Sequence, residues 1–208
     1  MARVKIIDPK TVTDPATLEM FDWVIEAEGA VPNHFLVEVN FPEYFNQKMK
    51  STQVLWENGE LTMDEVQHVG VIVSKANNCQ YCTAAFCTIL NFTLGKDEDY
   101  VTQLLEQGVE VVDDHRMRTI LSFALRANDD PGGITDAEVD GLREVGLTDK
   151  GIVQLVHVVS DFASYNRINQ VLKTDYDYRD LWRQKGFGWV QKQGEAAGDN
   201  SRGLPKKG

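Results

Sequence analysis

The sequence predicts an all-α fold, a single-domain helical bundle. Three observations carry that expectation. No stretch alternates apolar and polar residues over six positions with turn residues on both sides, so strand signals are scarce. Helix start and stop residues recur along the whole chain. Between them the apolar residues fall at spacings of three and four.

Asp14-Pro15 reads as an N-cap followed by proline at the first helical position, opening a helix to about Glu28 before Gly29. Pro42 opens a second helix, closed by Gly59. Thr62 to Glu65 is a capping box, and it starts an apolar run through Val66, Val69, Gly70, Val73 and Ala76. Asn77-Asn78 interrupts the run, and a fresh helix is expected from Cys79 to about Leu94, with Asn78 as its N-cap and Gly95 as its stop. Asp97 to Gln107 reads as a short helix ended by Gly108, and Asp114 to Ala127 as an amphipathic one followed by a loop, Asn128 to Gly133. Thr135 to Glu138 is a second capping box, opening a helix that Gly146 ends. Thr148 caps the longest helix, to about Lys173, with an expected apolar stripe of Ile152, Leu155, Val156, Val159 and Phe162. Trp182, Phe187 and Trp189 give the following segment something to dock with. From Gln191 the chain is polar, with Leu204 its only large apolar residue. The expected organisation is one helical domain over residues 1–190 and a tail over 191–208 that is mobile or lies on a neighbouring subunit.

The 208 residues include 21 Lys plus Arg against 32 Asp plus Glu, a net charge of −11. A surface of that sign repels phosphate backbones and anionic lipid, which argues against nucleic-acid and membrane partners. No apolar run approaches the roughly 20 residues of a membrane span, and no signal peptide is expected. The 3 cysteines are too few for a secreted disulfide scaffold, so a reducing cytoplasm is the expected compartment.

The sharpest motif is Asn77-Asn78-Cys79-Gln80-Tyr81-Cys82-Thr83-Ala84-Ala85-Phe86-Cys87. Two cysteines separated by two residues in the first turn of a helix lie close enough to bridge. They also sit among the unpaired N–H groups of the helix N-terminus, where a thiolate pKa falls below its free value of about 8.5. A zinc half-site or a pair of buried structural cysteines is an alternative reading. Zinc needs two further ligands. Cys87 lies about 140° round the helix from Cys82, and His34, His68, His115 and His157 lack metal-ligand spacing. No metal and no cofactor are expected.

The stretch Leu61 to Phe86 resembles the core of the alkylhydroperoxidase D-like proteins, in the carboxymuconolactone decarboxylase superfamily, through Ser74, Ala76, Asn77, Cys79, Tyr81, Cys82, Ala84 and Ala85. Ala30 to Asn33 and Pro42 resemble that family's lead-in, Ile134 to Thr148 its loop and short helix, and Phe162 to Arg167 its Phe-x-x-x-Asn-Arg segment, so the likeness spans about 145 residues, roughly Ala30 to Lys173. The resemblance implies an all-helical fold that assembles as dimers, trimers or hexamers. It also implies a peroxide-reducing or disulfide-exchanging dithiol, in which Cys82 attacks the oxidant, Cys79 resolves the product and an outside dithiol resets the pair.

Two positions depart from the family pattern. Its proton relay places Glu twelve residues before the first cysteine and His four after the second, and these positions hold Gln67 and Phe86. Neither transfers a proton, so Cys82 keeps the helix terminus but loses a base whose help is worth roughly 10²–10⁴-fold. His68, next to Gln67, and His157, on the long helix, are the substitute candidates. The aromatic cluster Phe21, Trp23, Phe35, Phe41, Tyr44 and Phe45 is expected in the core and at a subunit contact. The expected function is a thiol–disulfide oxidoreductase or alkylhydroperoxidase-like antioxidant protein acting on a hydroperoxide or disulfide. A non-catalytic oligomeric scaffold or small-molecule binder of the same fold is the alternative, and a lactone decarboxylase the weaker one.

Overall fold

A computed structural model describes residues 1–178, and among them it is helical throughout with no strand. The main helices are α1 (Pro15–Glu28), α2 (Asn33–Glu38), α3 (Pro42–Glu57), α4 (Met63–Ala76), α5 (Gln80–Thr88), α6 (Glu98–Gln107), α7 (His115–Asp129), α8 (Asp136–Glu144) and α9 (Asp149–Leu172). None of them is long and apolar enough to cross a membrane. The expected docking of Trp182, Phe187 and Trp189, and the tail over 191–208, lie outside the described residues.

Capping chemistry sets most of the helix starts. The Asp14 carboxylate accepts the Thr17 N–H at 2.9 Å, and Asp114 accepts that of Met117 at 2.7 Å. Both capping boxes form, Thr62 with Glu65 and Thr135 with Glu138, each satisfying two otherwise orphaned donors. Gly29, Gly95, Gly108 and Gly146 all take positive φ where a helix or turn stops.

The structure departs from expectation in four places. The lead-in Asn33–Glu38 is itself a helix, following Pro32, and it buries Phe35, Leu36 and Val37. Helix α5 ends at Thr88 and the chain continues as one wide π turn, Ile89–Thr93, before Gly95. Helix α7 runs on through Asn128 and Asp129, and the loop begins only at Asp130. The buried face of α9 is rotated from the expected stripe. Leu155, Val159 and Phe162 are buried, Ile152 is half-buried and Val156 is exposed, while Gln154, Asn166 and Asn169 turn inward. Those polar side chains are held by specific partners. Gln154 accepts the N–H groups of Glu60 and Leu61 and donates to the Leu55 carbonyl, stitching α9 to the turn after α3. A stripe counted from apolar residues alone therefore misplaces the face.

Helix α4 lies at the centre, packed against α5, α7 and α9. Val66, Val69, Val71 and Val73 are fully buried on it. Gly70 admits the Phe86 ring of α5. A Cβ at Gly70 would lie 2.5 Å from that ring, which is backed by Phe162 at a centroid distance of 4.6 Å. Gly70→Ala is expected to destabilise the fold by about 1–3 kcal/mol through overpacking, although alanine is the better helix former by up to about 1 kcal/mol. A thermal unfolding midpoint at or above that of the wild type would reject this.

The aromatic cluster divides. Phe21, Phe35 and Phe45 meet edge to face in the core, and Trp23 packs edge-on to Trp56. Phe41 and Tyr44 stack on each other at the surface, 62% and 57% exposed.

Candidate active site

Helix α4 closes at Asn77, Asn78 adopts the left-handed conformation with φ 55°, and the chain reverses into α5. An asparagine tolerates that region better than most residues. Asn78 is thus the pivot of the turn rather than the N-cap expected from the sequence. The cap is Cys79 itself, whose sulfur accepts the Cys82 N–H at 3.3 Å and whose own N–H bonds the Ser74 carbonyl at 2.9 Å.

Cys79 and Cys82 are disulfide-bonded, with Cα atoms 5.3 Å apart, and both are buried. Cys87 is a free thiol on the same helix, completely buried, and burial pushes its pKa far up. No group of His, Cys, Asp and Glu side chains among the described residues has the arrangement of a metal site.

An amide lattice fixes the turn that presents the pair. Asn166 donates to the Ser74 hydroxyl at 2.9 Å, Asn77 donates to the Asn166 and Asn128 side-chain carbonyls at 2.9 Å each, and Gln170 donates to the Asn77 carbonyl at 2.8 Å. Ser74, Asn77 and Asn166, which carried the family resemblance, therefore hold the dithiol turn onto α9. Arg167 is exposed.

The remaining sequence candidates fall on different sides of the core. Gln67 is fully buried on α4, donating to the Met63 sulfur at 3.2 Å, with its Oε1 unpartnered. Phe86 lies one helical turn beyond Cys82, against Gly70 and Phe162. His68 is held by the Asp64 carbonyl at 2.7 Å and the Tyr100 hydroxyl at 2.9 Å, an attachment that turns it toward α6. His157 is exposed on α9.

Sequence reasoning missed a second group of polar residues beside α5. Tyr81, between the two cysteines, donates to Asp177 at 2.6 Å and accepts the His34 N–H at 3.3 Å, and its ring meets those of His34, Tyr176 and Tyr178. The Nδ1 of His34 is buried without a partner, and burial, aided by the Lys48 charge, lowers the ring pKa to about 3, so this imidazole is neutral. Lys48 and Glu38 form a buried ion pair at 3.0 Å, with the ammonium over the Tyr165 ring. On α9, Asn169 donates to the Cys82 sulfur at 3.5 Å. The available signal for it was a second asparagine one turn beyond Asn166 on the same helix face.

Glu28 accepts the Tyr178 hydroxyl, and burial pushes its pKa from 4.5 up to about 7. The folded chain keeps this proton between those values, where the unfolded chain has released it, so the group's contribution to stability falls as pH rises through that window. Glu28→Gln keeps the acceptor and removes the titration. Its stability relative to the wild type is expected to rise by about 3 kcal/mol from pH 4.5 to pH 8. Urea unfolding at several pH values measures this, and a pH-independent difference would refute it.

No protein-family model and no curated protein sequence matches the chain. Solved structures do. A peroxidase-related protein from Ralstonia eutropha with an alkylhydroperoxidase AhpD core superposes with a TM-score of 0.74 at 23% identity, over 84% of this chain and 92% of that one. A peroxidase-related protein from Silicibacter gives 0.69 at 25% identity, over 84% and 94%. A variant of the debrominase Bmp8, in complex with 2,3,4-tribromopyrrole, gives 0.69 at 16% identity, over 84% and 93%. With its capped helices, its central α4 and its Cys-x-x-Cys turn, the chain has the fold of these solved structures, that of the alkylhydroperoxidase AhpD core.

Proposed function

We propose that the protein is a thiol–disulfide oxidoreductase of the alkylhydroperoxidase type, cycling the Cys79–Cys82 pair. The observation that supports this reading above all is the disulfide at the N-terminus of α5, with the third cysteine sealed in the core. In the cycle the Cys82 thiolate attacks the terminal oxygen of a hydroperoxide. An S–O bond forms, the O–O bond breaks, and the alkoxide leaves and takes a proton from solvent. The sulfur has lost two electrons and is a sulfenic acid. The Cys79 thiolate then attacks that sulfur. The S–S bond forms and the hydroxide leaves as water. An external dithiol restores both thiols by exchange, itself becoming a disulfide. A reducing cytoplasm supplies such dithiols.

The test is a thiol count on the fully reduced chain before and after one equivalent of hydrogen peroxide. Loss of two thiols, with a Cys79–Cys82 link and free Cys87 by mass spectrometry, supports the cycle. A bridge to Cys87, or no reaction, refutes it. The loss of the relay at Gln67 and Phe86 favours a second reading, a non-catalytic scaffold or small-molecule binder, and no reaction is its expected result.

A homo-oligomer is part of the proposal. The stacked Phe41 and Tyr44, together with Val153, Val156 and Val171 on α9, put apolar side chains on the surface of the single chain, the surface type that subunit contacts cover. Light scattering at micromolar concentration is expected to give a multiple of 23.4 kDa, and a monomer mass would refute it.

A further inference from the structure

We propose that Asn169 binds the Cys82 thiolate and supplies, by hydrogen bonding, part of what the absent acid–base pair would have supplied. The proposal rests on the reading of Cys82 as the attacking sulfur. From α9, the Asn169 side chain carries a hydrogen bond to the Cys82 sulfur of the pair. Its Nδ2 donates to the Tyr165 carbonyl at 3.0 Å and to the Cys82 sulfur at 3.5 Å. A carbonyl only accepts, so Tyr165 fixes which end of the amide faces the cysteine. Both residues are about 5% exposed, which keeps water from competing for the bond. The other end of the amide, Oδ1, is buried and accepts nothing. An apolar residue would fill this position without leaving an acceptor unpaired, so the carboxamide is costly to the resting fold.

Chemistry gives both ends a use. A disulfide sulfur is a weak acceptor, whereas a thiolate makes a charge-assisted bond. The Nδ2 bond therefore strengthens on reduction and favours the ionised sulfur. As Cys82 attacks, its S–O bond forms while the O–O bond of the hydroperoxide breaks, and the product sulfenic acid carries an O–H. Oδ1 is the acceptor placed to receive it. The alkoxide leaving group takes its proton from solvent, so Asn169 transfers none. The titratable neighbours of this end of α5 are His34 from α2, Tyr165 from α9, Tyr81 on α5 itself, and Asp177 and Tyr178 from the segment after α9; from α4, the Lys75 charge reaches Cys87. The hydroxyls of Tyr81 and Tyr178 donate to Asp177 and Glu28 rather than to either sulfur.

The experiment uses the full chain, reduced, with iodoacetamide alkylation of the Cys82 peptide followed across pH 6 to 10 and hydrogen peroxide consumption in single turnover. Asn169→Leu, similar in shape but without the amide, is expected to move the alkylation midpoint up by about one pH unit and slow the peroxide reaction at pH 7 about tenfold. Equilibrium with dithiothreitol should shift about tenfold toward the disulfide, near 30 mV. Asn169→Asp keeps the size and cannot donate when ionised, so it should move the midpoint at least as far, and it decides the matter if the leucine variant does not fold. Asn169→Gln keeps an amide and should recover part of the loss. If wild-type Cys82 reacts and neither variant moves midpoint or rate, Asn169 is structural and this proposal falls alone. If wild-type Cys82 reacts with neither reagent, the dithiol reading falls and takes this one with it.

Discussion

Cys82→Ser is expected to reduce peroxide turnover to the background rate, and Cys79→Ser to stop the cycle after one chemical step with Cys82 held as a sulfenic acid or a mixed disulfide. The difference follows from the geometry. The two residues are three apart, with Cα atoms at 5.3 Å, close enough for either sulfur to reach the other without backbone movement. Removing the attacking sulfur removes the only place where oxygen is transferred, because Cys87 is completely buried and its thiol is held protonated. Removing the resolving sulfur leaves that transfer intact. Both variants should fold, since a cross-link over so short a loop contributes little chain entropy. Mass spectrometry after one equivalent of peroxide reads the outcome, with a dimedone adduct on Cys82 marking the trapped sulfenic acid. If Cys79→Ser is inert and Cys82→Ser carries the adduct on Cys79, the roles are reversed. The Cys82 N–H bonded to the Cys79 sulfur is the feature that would favour that order.

Local rules explain how much of the fold was legible. Asp14, Thr62, Asp114, Thr135 and Thr148 cap the helices that their side chains predicted, because a capping hydrogen bond is decided within three residues. The buried face of α9 was not legible. Gln154, Asn166 and Asn169 face inward for partners on α3, α4 and α5 and on the turns between them, contacts set by tertiary packing rather than by the period of apolar residues. At the site, the cysteine pair, the Ser74 hydroxyl and the Asn77 amide were visible as a motif. The Asn78 pivot was not distinguishable from a cap, since asparagine favours both. Tyr81, Asp177, Glu28 and Tyr178 come together across as many as 150 residues of sequence, a separation that no local pattern reports. His68, a sequence neighbour of Gln67, and His157, on the long helix, were the substitute candidates, and the structure gives them other surroundings, Tyr100 in one case and solvent in the other.

Those surroundings sharpen what restoring a relay should do. By the sequence resemblance, Gln67 and Phe86 stand where a relay acid and imidazole are expected. Phe86 lies one turn beyond Cys82, and its ring rests on Gly70, one turn beyond Gln67 on α4. The two substituted positions thus lie on the two helices that meet at Gly70. An apolar ring beside Cys82 disfavours the thiolate by desolvation, against the helix terminus and the Asn169 amide that favour it. The wild type is therefore expected to consume peroxide slowly at neutral pH and faster as pH rises. Gln67→Glu with Phe86→His puts a carboxyl on α4 and an imidazole on α5, the two helices that meet at Gly70. The pair also limits the cost of burying either alone, which as an unpartnered charge would be severe. Within the roughly 10²–10⁴-fold worth of general acid–base catalysis, the double variant should speed peroxide-dependent loss of the Cys82 thiol by at least about tenfold at pH 7 and flatten its pH dependence. Each single variant should do less, because a base without its proton carrier, or the reverse, completes no relay. Single-turnover measurements from pH 6 to 9 decide it. A folded double variant that reacts no faster means the pocket is not arranged for peroxide, and the scaffold reading gains. A wild type that already reacts fast at every pH means another group aids Cys82. His68 and His157 are placed away from it, which leaves Asn169 as the first residue to replace.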